Sequence, residues 1–211
     1  MNGHRLAEQF STFAKQDHAA RLGMWGFLGS EVTLFGGLFA LYAAYRAMYG
    51  HEFVAAVGHN NLAIGTINTL ILLTSSFTVA LTVWAARAAR SKLIAPLLGL
   101  TILLGCVFLL LKGIEWSQHF HQGILPGLHY RNREMQEFGA KVFFTLYFIM
   151  TGLHAIHVVI GIAVLGWFAV QAGRRLYTPE HHVTLEMATL YWHLVDIVWI
   201  FLWPAFYLMR G

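Results

Sequence analysis

Five runs of apolar residues, 24–47, 62–86, 93–111, 141–170 and 185–209, decide what this chain can fold into. Each is long enough, at ~1.5 Å rise per residue, to cross a hydrocarbon layer about 30 Å thick as a helix. A bilayer-spanning strand would alternate polar and apolar residues over about ten positions. Stretches such as 70–73 and 102–111 do not alternate, so all five runs read as helices. Composition agrees: 57% of the 211 residues are hydrophobic and 11% carry charge, where soluble domains have roughly 25% charged residues. The predicted fold is all-α, a polytopic membrane protein built as a five-transmembrane-helix bundle.

The single cysteine, Cys106, excludes an internal disulfide, a Cys-Cys metal cage and a Cys-X-X-Cys redox pair. The net charge of +4 comes from scattered basic residues, which reads as membrane topology rather than nucleic-acid binding. Residues 1–22 mix Arg5, Glu8, Lys15, Asp17 and Arg21 with isolated apolar residues and carry no cleavable targeting pattern. They form a cytoplasmic N-terminal segment, read either as a short interfacial helix or as a tail, ahead of a transmembrane domain over 23–211. Arg5, Lys15, Arg21, Arg87, Arg90, Lys92, Arg174 and Arg175 fall on the N-terminal side of the membrane. Fewer basic residues, Arg46, Lys112, Arg131, Arg133, Lys141 and Arg210, fall on the other. The bias places the N-terminus inside and the C-terminus outside.

An ionisable side chain deep in a membrane helix costs at least ~2.5 kcal/mol on insertion scales, so each one requires an explanation. They occur as Glu31 in the first helix, Lys112 with Glu115 at the end of the third, His154 with His157 in the fourth, and His193 with Asp196 in the fifth. Glu31 and His193 lie at similar depths, ~10 and ~12 Å from the inner ends of their runs, so they could meet if their helices are neighbours. Around Glu31 the helical turn sets Phe27, Leu28, Leu34, Phe35 and Leu38, while Gly36, Ala40 and Ala44 make a small-residue seam on the opposite side. A carboxyl in such surroundings is expected to stay neutral unless a cation is close, and to react with a hydrophobic carbodiimide near neutral pH. The plainer alternative is a protonated Glu31 that only hydrogen-bonds a neighbouring helix.

His154 and His157 share one helix face, as do His193 and Asp196. Haem or metal ligation is one reading. Two ligands from one face of one helix cannot bind opposite sides of a haem, so His193 would have to complete the site. The reading the pattern favours is hydrogen bonding between helices, with Asp196 accepting the His193 N–H. The hydroxyl and amide groups of the second helix, Thr66, Asn68, Thr69, Thr74, Ser75, Ser76, Thr78 and Thr82, read as helix contacts rather than a transport path. His119, His121, His129, His181 and His182 read as members of solvated loops.

Four segments in order carry a further reading. They are Gly23-Met24-Trp25-Gly26-Phe27-Leu28-Gly29-Ser30-Glu31 with Phe35 and Phe39; Asn68-Thr69 with Leu72-Leu73-Thr74-Ser75-Ser76; Gly152-Leu153-His154-Ala155-Ile156-His157-Val158; and Tyr191-Trp192-His193-Leu194-Val195-Asp196-Ile197-Val198-Trp199. Together with Lys112, Gly113, Glu115 and Trp116, they resemble subunit III of the haem-copper terminal oxidases, in its short five-helix bacterial form. The resemblance spans 22–209.

The resemblance implies a chain with no haem, copper or redox centre of its own. It would pack beside catalytic subunit I, which holds the haems and copper, in a complex with subunit II and others in the bacterial inner membrane. Its implied task is to stabilise subunit I and to support sustained proton uptake during oxygen reduction. Glu31 matches the family's buried, carbodiimide-reactive glutamate, and Arg174 or Arg175 matches a region that contacts lipid phosphate, so bound phospholipid is a candidate ligand. Quinol oxidase and nitric oxide reductase accessory subunits share the family, and the full set of motifs leans toward a cytochrome c oxidase. The competing reading from another class is a small b-type cytochrome that uses His154, His157 and His193.

Overall fold

The computed structural model describes residues 10–124, 137–173 and 183–209. Its helices are α1 (Phe13–Met48), α2 (Gly50–Val57), α3 (Leu62–Arg87), α4 (Ser91–His121), α5 (Phe138–Gly173) and α6 (Val183–Trp203), the last continued by a π-helical turn over Pro204–Leu208. Among the described residues, 5 helices are long and apolar enough to cross a membrane: α1, α3, α4, α5 and α6 with its π turn. Large apolar side chains point outward from them, with Leu110 67%, Trp167 69% and Phe201 60% exposed. Soluble proteins rarely present such continuous apolar surface, and lipid is its natural solvent.

α1 is peripheral. Only Leu28, Phe35 and Tyr42 are buried on it, a single stripe at seven-residue spacing that packs against α5 and α6. Its start is capped by Thr12, whose side chain accepts from the Lys15 N–H, so residues 13–22 run straight into the first span. The small-residue seam opposite Glu31 lies open: Ala40 and Ala44 are exposed, and among the described residues a Cβ on Gly36 would touch nothing within 4 Å. α6 is the central helix, lying against α1, α3 and α5 and burying Leu185, Trp192, Trp199 and Leu202.

Two elements differ from the sequence expectation. The connection 49–61 contains α2, because Phe53, Ala56 and Val57 stand at i, i+3 and i+4 and bury fully against the far end of the bundle. α4 continues past its apolar run to His121, which places Lys112 and Glu115 on a helix with the protein interior on one side. Gly123, at φ 73°, ends that helix in a conformation other residues adopt only with strain.

Close approach of the helices depends on two glycines. The Trp192 indole lies between Gly105 on α4 and Gly161 on α5, and a Cβ at either position would come within 2.8 Å of the ring. α3 joins through its hydroxyls, as expected. Trp192 Nε1 donates to Ser75 Oγ at 3.1 Å, Trp199 Nε1 donates to Thr69 Oγ1 at 3.0 Å, and Thr78 and Thr101 share a bond of 2.8 Å. In a medium without water these bonds fix helix rotation more than they add attraction.

Candidate functional site

The interior holds two centres of paired ionisable side chains. The first joins α1 to α5: Glu31 Oε2 lies 2.9 Å from His157 Nε2. The other ring nitrogen, Nδ1, is 2.7 Å from the Leu153 carbonyl oxygen one turn earlier. A carbonyl only accepts, so Nδ1 carries a hydrogen and donates it. The contact between Nε2 and Glu31 then needs one proton. It sits on the carboxyl, with a neutral ring accepting, or on Nε2, with a carboxylate accepting, and the pair is neutral as a unit in both states. Phe35 packs its edge on the His157 ring at 5.5 Å, and the Tyr191 hydroxyl donates to the His157 carbonyl at 3.0 Å. The partner of Glu31 is therefore His157. The expected pairing with His193 does not form, because His193 faces α3, where its Nδ1 lies 2.8 Å from Ser76 Oγ.

The second centre joins α4, α5 and the end of α6. Lys112 Nζ donates to Glu115 Oε2 at 2.9 Å, to the Tyr147 hydroxyl at 2.8 Å and to the Tyr207 hydroxyl at 2.7 Å. An ammonium has three hydrogens, and all three are used. Tyr207 in turn donates toward both oxygens of Glu115, each at 2.7 Å. The ammonium also lies 4.5 Å from the centre of the Tyr147 ring, 5.2 Å from Trp199 and 5.3 Å from Tyr207, so aromatic faces replace part of its lost hydration. Lys112 and Glu115 are 2% and 1% exposed, which makes this a fully buried ion pair. The π turn carries Tyr207, whose phenol enters the cage, and carbonyls left open at the helix end are taken up by Tyr42, which donates to Ala205 O, and by Asn60 Nδ2, which donates to Phe206 O.

Between these centres sits His154, 1% exposed, its ring 5.2 Å from Trp199 and 5.6 Å from Phe108, with neither nitrogen hydrogen-bonded among the described residues. His193 and Asp196 do not bond each other as expected. Asp196 lies beside Ser76, yet neither carboxyl oxygen has a hydrogen-bond partner among the described residues. His119, expected in a solvated loop, is buried at 2% exposure near the end of α4, against the edges of Phe144 and Tyr147.

A porphyrin between α5 and α6 fits these positions poorly. Both His157 nitrogens are engaged, His154 is enclosed by aromatic rings, and His193 is turned to a different helix. Among the described residues no group of three or more His, Cys, Asp or Glu converges as a metal site. Arg174 and Arg175 lie outside the described residues.

Sequence reading found Lys112, Glu115 and the ionisable groups but missed Tyr147 and Tyr207 as their partners. The spacing of Lys112 and Glu115, one turn apart, was the available signal. Nothing in the local pattern of Tyr207 shows that a wider turn precedes it.

Five membrane helices around interior pairs of ionisable side chains define an integral, multi-pass helical membrane protein. The family model for cytochrome c oxidase subunit III matches residues 9–210. A probable quinol oxidase subunit 3 from Staphylococcus saprophyticus is 29% identical over 209 residues, covering 97% of each chain. Quinol oxidase subunit 3 of Bacillus spizizenii is 32% identical, covering 89% of this chain and 86% of the relative. Cytochrome c oxidase subunit 3 of Thermostichus vulcanus is 35% identical, also over 89% and 86%. The chain belongs to the cytochrome c oxidase subunit III family, and so to the subunits of multi-subunit haem-copper oxidases.

Proposed function

We propose that this chain is the redox-silent subunit III of a proton-pumping haem-copper oxidase in a bacterial inner membrane. It stabilises the catalytic subunit I, which with its partners holds the haems and copper, and it supports proton uptake while oxygen is reduced to water. The observation that carries this reading is the Glu31–His157 pair, a neutral unit that holds one proton at the depth of the hydrocarbon and links the peripheral helix α1 to α5. Such a unit keeps an acidic side chain in the membrane without a net charge, and it can pass its proton between two atoms without separating charge from the pair.

Cytochrome c is the electron donor on this reading of the motifs. Quinol is the second reading, favoured by the relatives named quinol oxidase subunit 3. The donor is recognised by other chains in either case. The test is to extract the tagged chain from its own membranes in mild detergent and record a reduced-minus-oxidised spectrum. An a-type haem signal that departs when partner chains are stripped away is the expected result. A b-type signal that stays with the isolated chain would overturn it and return His154, His157 and His193 to the list of ligands.

A further inference from the structure

A groove of about 340 Å³ runs between α3 and α6, and Ala80, Val83, Leu190 and His193 are among the residues that line it. Its ionic end is formed by Arg87, in the last turn of α3, and Glu186, in the first turn of α6. There Arg87 donates from Nε and Nη2 to Glu186 Oε1 at 3.0 and 2.7 Å. Helix ends carrying an exposed ion pair meet water, so the groove opens on the side of the membrane where α1 begins. His193 is seven residues further along α6, ~10 Å deeper at the helical rise.

From His193 a line of polar groups leads inward. Its Nδ1 lies 2.8 Å from Ser76 Oγ, and Nε2 makes no hydrogen bond among the described residues, which leaves it as the ring nitrogen open to the groove. Ser76 in turn lies beside Asp196, 3% exposed, whose two oxygens have no hydrogen-bond partner among the described residues. Ionisable groups on the surrounding helices are engaged elsewhere: Arg87 of α3 with Glu186, Glu31 of α1 with His157 of α5, and Lys112 of α4 with Glu115. His154 of α5 packs against Trp199 and Phe108. Asp196 therefore has no cation paired with it among the described residues. A bare carboxylate is costly in hydrocarbon, and a route that supplies a proton removes that cost.

We propose that Asp196 is a proton-exchange site served by His193 and Ser76, with water in the groove as proton donor and acceptor. A hydroxyl donates one hydrogen and accepts two, so Ser76 can bridge an imidazole and a carboxylate. For uptake, water delivers a proton to Nε2 of the neutral ring, Nδ1 gives its hydrogen to Ser76 Oγ, and the hydroxyl gives its own to an Asp196 oxygen. One proton enters, one carboxylate becomes a carboxylic acid, and the ring and the hydroxyl each keep one hydrogen. Release runs the same steps backward. Ser76 and Asp196 are not bonded as they stand, so the inner step needs a turn of the serine side chain to another staggered rotamer. The site belongs to this chain's own residues and serves whichever electron donor the complex uses.

The test is infrared spectroscopy of the full chain, purified through a tag with the subunits that accompany it, during transfer from H2O to D2O. Asp196→Asn is expected to remove one carboxylic C=O stretching band, which identifies the Asp196 acid, and deuterium is expected to shift that band. Ser76→Ala, His193→Phe and Ala80→Trp, the last filling the groove from an exposed position on its wall, are each expected to slow the shift roughly tenfold or more. Ser76→Thr, which keeps the hydroxyl, is expected to restore the native rate. The amide band of the same samples should exchange alike in every variant, which separates a relay from a general tightening of the bundle. A band that is missing, that does not shift in D2O, or that shifts at the native rate in Ser76→Ala or Ala80→Trp would overturn the proposal. So would an amide band slowed in parallel. Because the readout is a band of this chain, such a failure leaves the oxidase function standing. Absence of a co-purifying haem-bearing subunit would overturn that function and not the exchange site.

Discussion

The Glu31–His157 contact turns on where one proton resides, and the side chains around it make that consequence measurable. Replacing Glu31 with Gln keeps an N–H that donates to Nε2 of a neutral His157, so the link between α1 and α5 survives. Stability should change by about 1 kcal/mol or less, the scale of an interhelical hydrogen bond in membranes. Thermal melting of the detergent-extracted complex and its subunit composition would check this, and loss of assembly would mean that Glu31 is needed as an anion. Covalent labelling by a hydrophobic carbodiimide, expected at Glu31 in the native chain, should vanish in this variant, as mass spectrometry of the tryptic fragments would show. Lys112 is the opposite case. Removing it alone, as Lys112→Leu, leaves Glu115 and two phenols without their cation and is expected to cost about 3–5 kcal/mol. The double variant Lys112→Leu with Glu115→Leu should recover much of that loss, because no uncompensated charge remains. A double variant less stable than Lys112→Leu alone would show that Glu115 is held chiefly by Tyr207 rather than by the cation.

Among the elements, α6 carries the most information per residue. Its Trp192 needs bare backbone on both sides, so Gly105→Ala and Gly161→Ala should each destabilise the bundle by about 1–3 kcal/mol through overpacking. Gly36→Ala, whose new Cβ meets nothing among the described residues, should be neutral in the isolated chain, and comparing the three melting temperatures tests the contrast. The five spans were legible because a long apolar run has few alternatives in a chain this poor in charge. The short helix α2 was not, since Phe53, Ala56 and Val57 make only one apolar stripe within eight residues, and such a stripe becomes a helix only when α5 and the far-end aromatic cluster are there to cover it. Similarly, the apolar run of α4 stopped at Leu111 in sequence because Lys112 and Glu115 look like an exit into water. Their mutual pairing is what let the helix remain buried for another turn.

For the whole molecule, neighbour order separated what the sequence disclosed from what it withheld. Depth along the membrane normal is estimated by counting residues, which put Glu31 and His193 within membrane-spanning helices, and both are half-buried there. Which helix each one faces depends on side-by-side packing, which a single sequence does not encode directly. His157 proved to be the partner of Glu31, and Ser76 that of His193. The bundle is also asymmetric, with a peripheral α1 whose Gly23, Gly26, Gly29, Gly36 and Gly37 face open space among the described residues and an α6 packed against three helices. The π turn at Pro204–Leu208 gives this asymmetry a consequence for how such chains can vary in length. Tyr207 reaches Lys112 only at the rotation that the wider turn sets, and deleting one residue between 200 and 206 would swing its phenol by ~100° about the helix axis. The spans can shift along the bilayer normal by a residue and remain apolar, but the last one is locked in register like a key cut to a fixed number of notches. Relatives that keep this cage should therefore differ in length within the connections and agree to the residue from Trp199 to Tyr207.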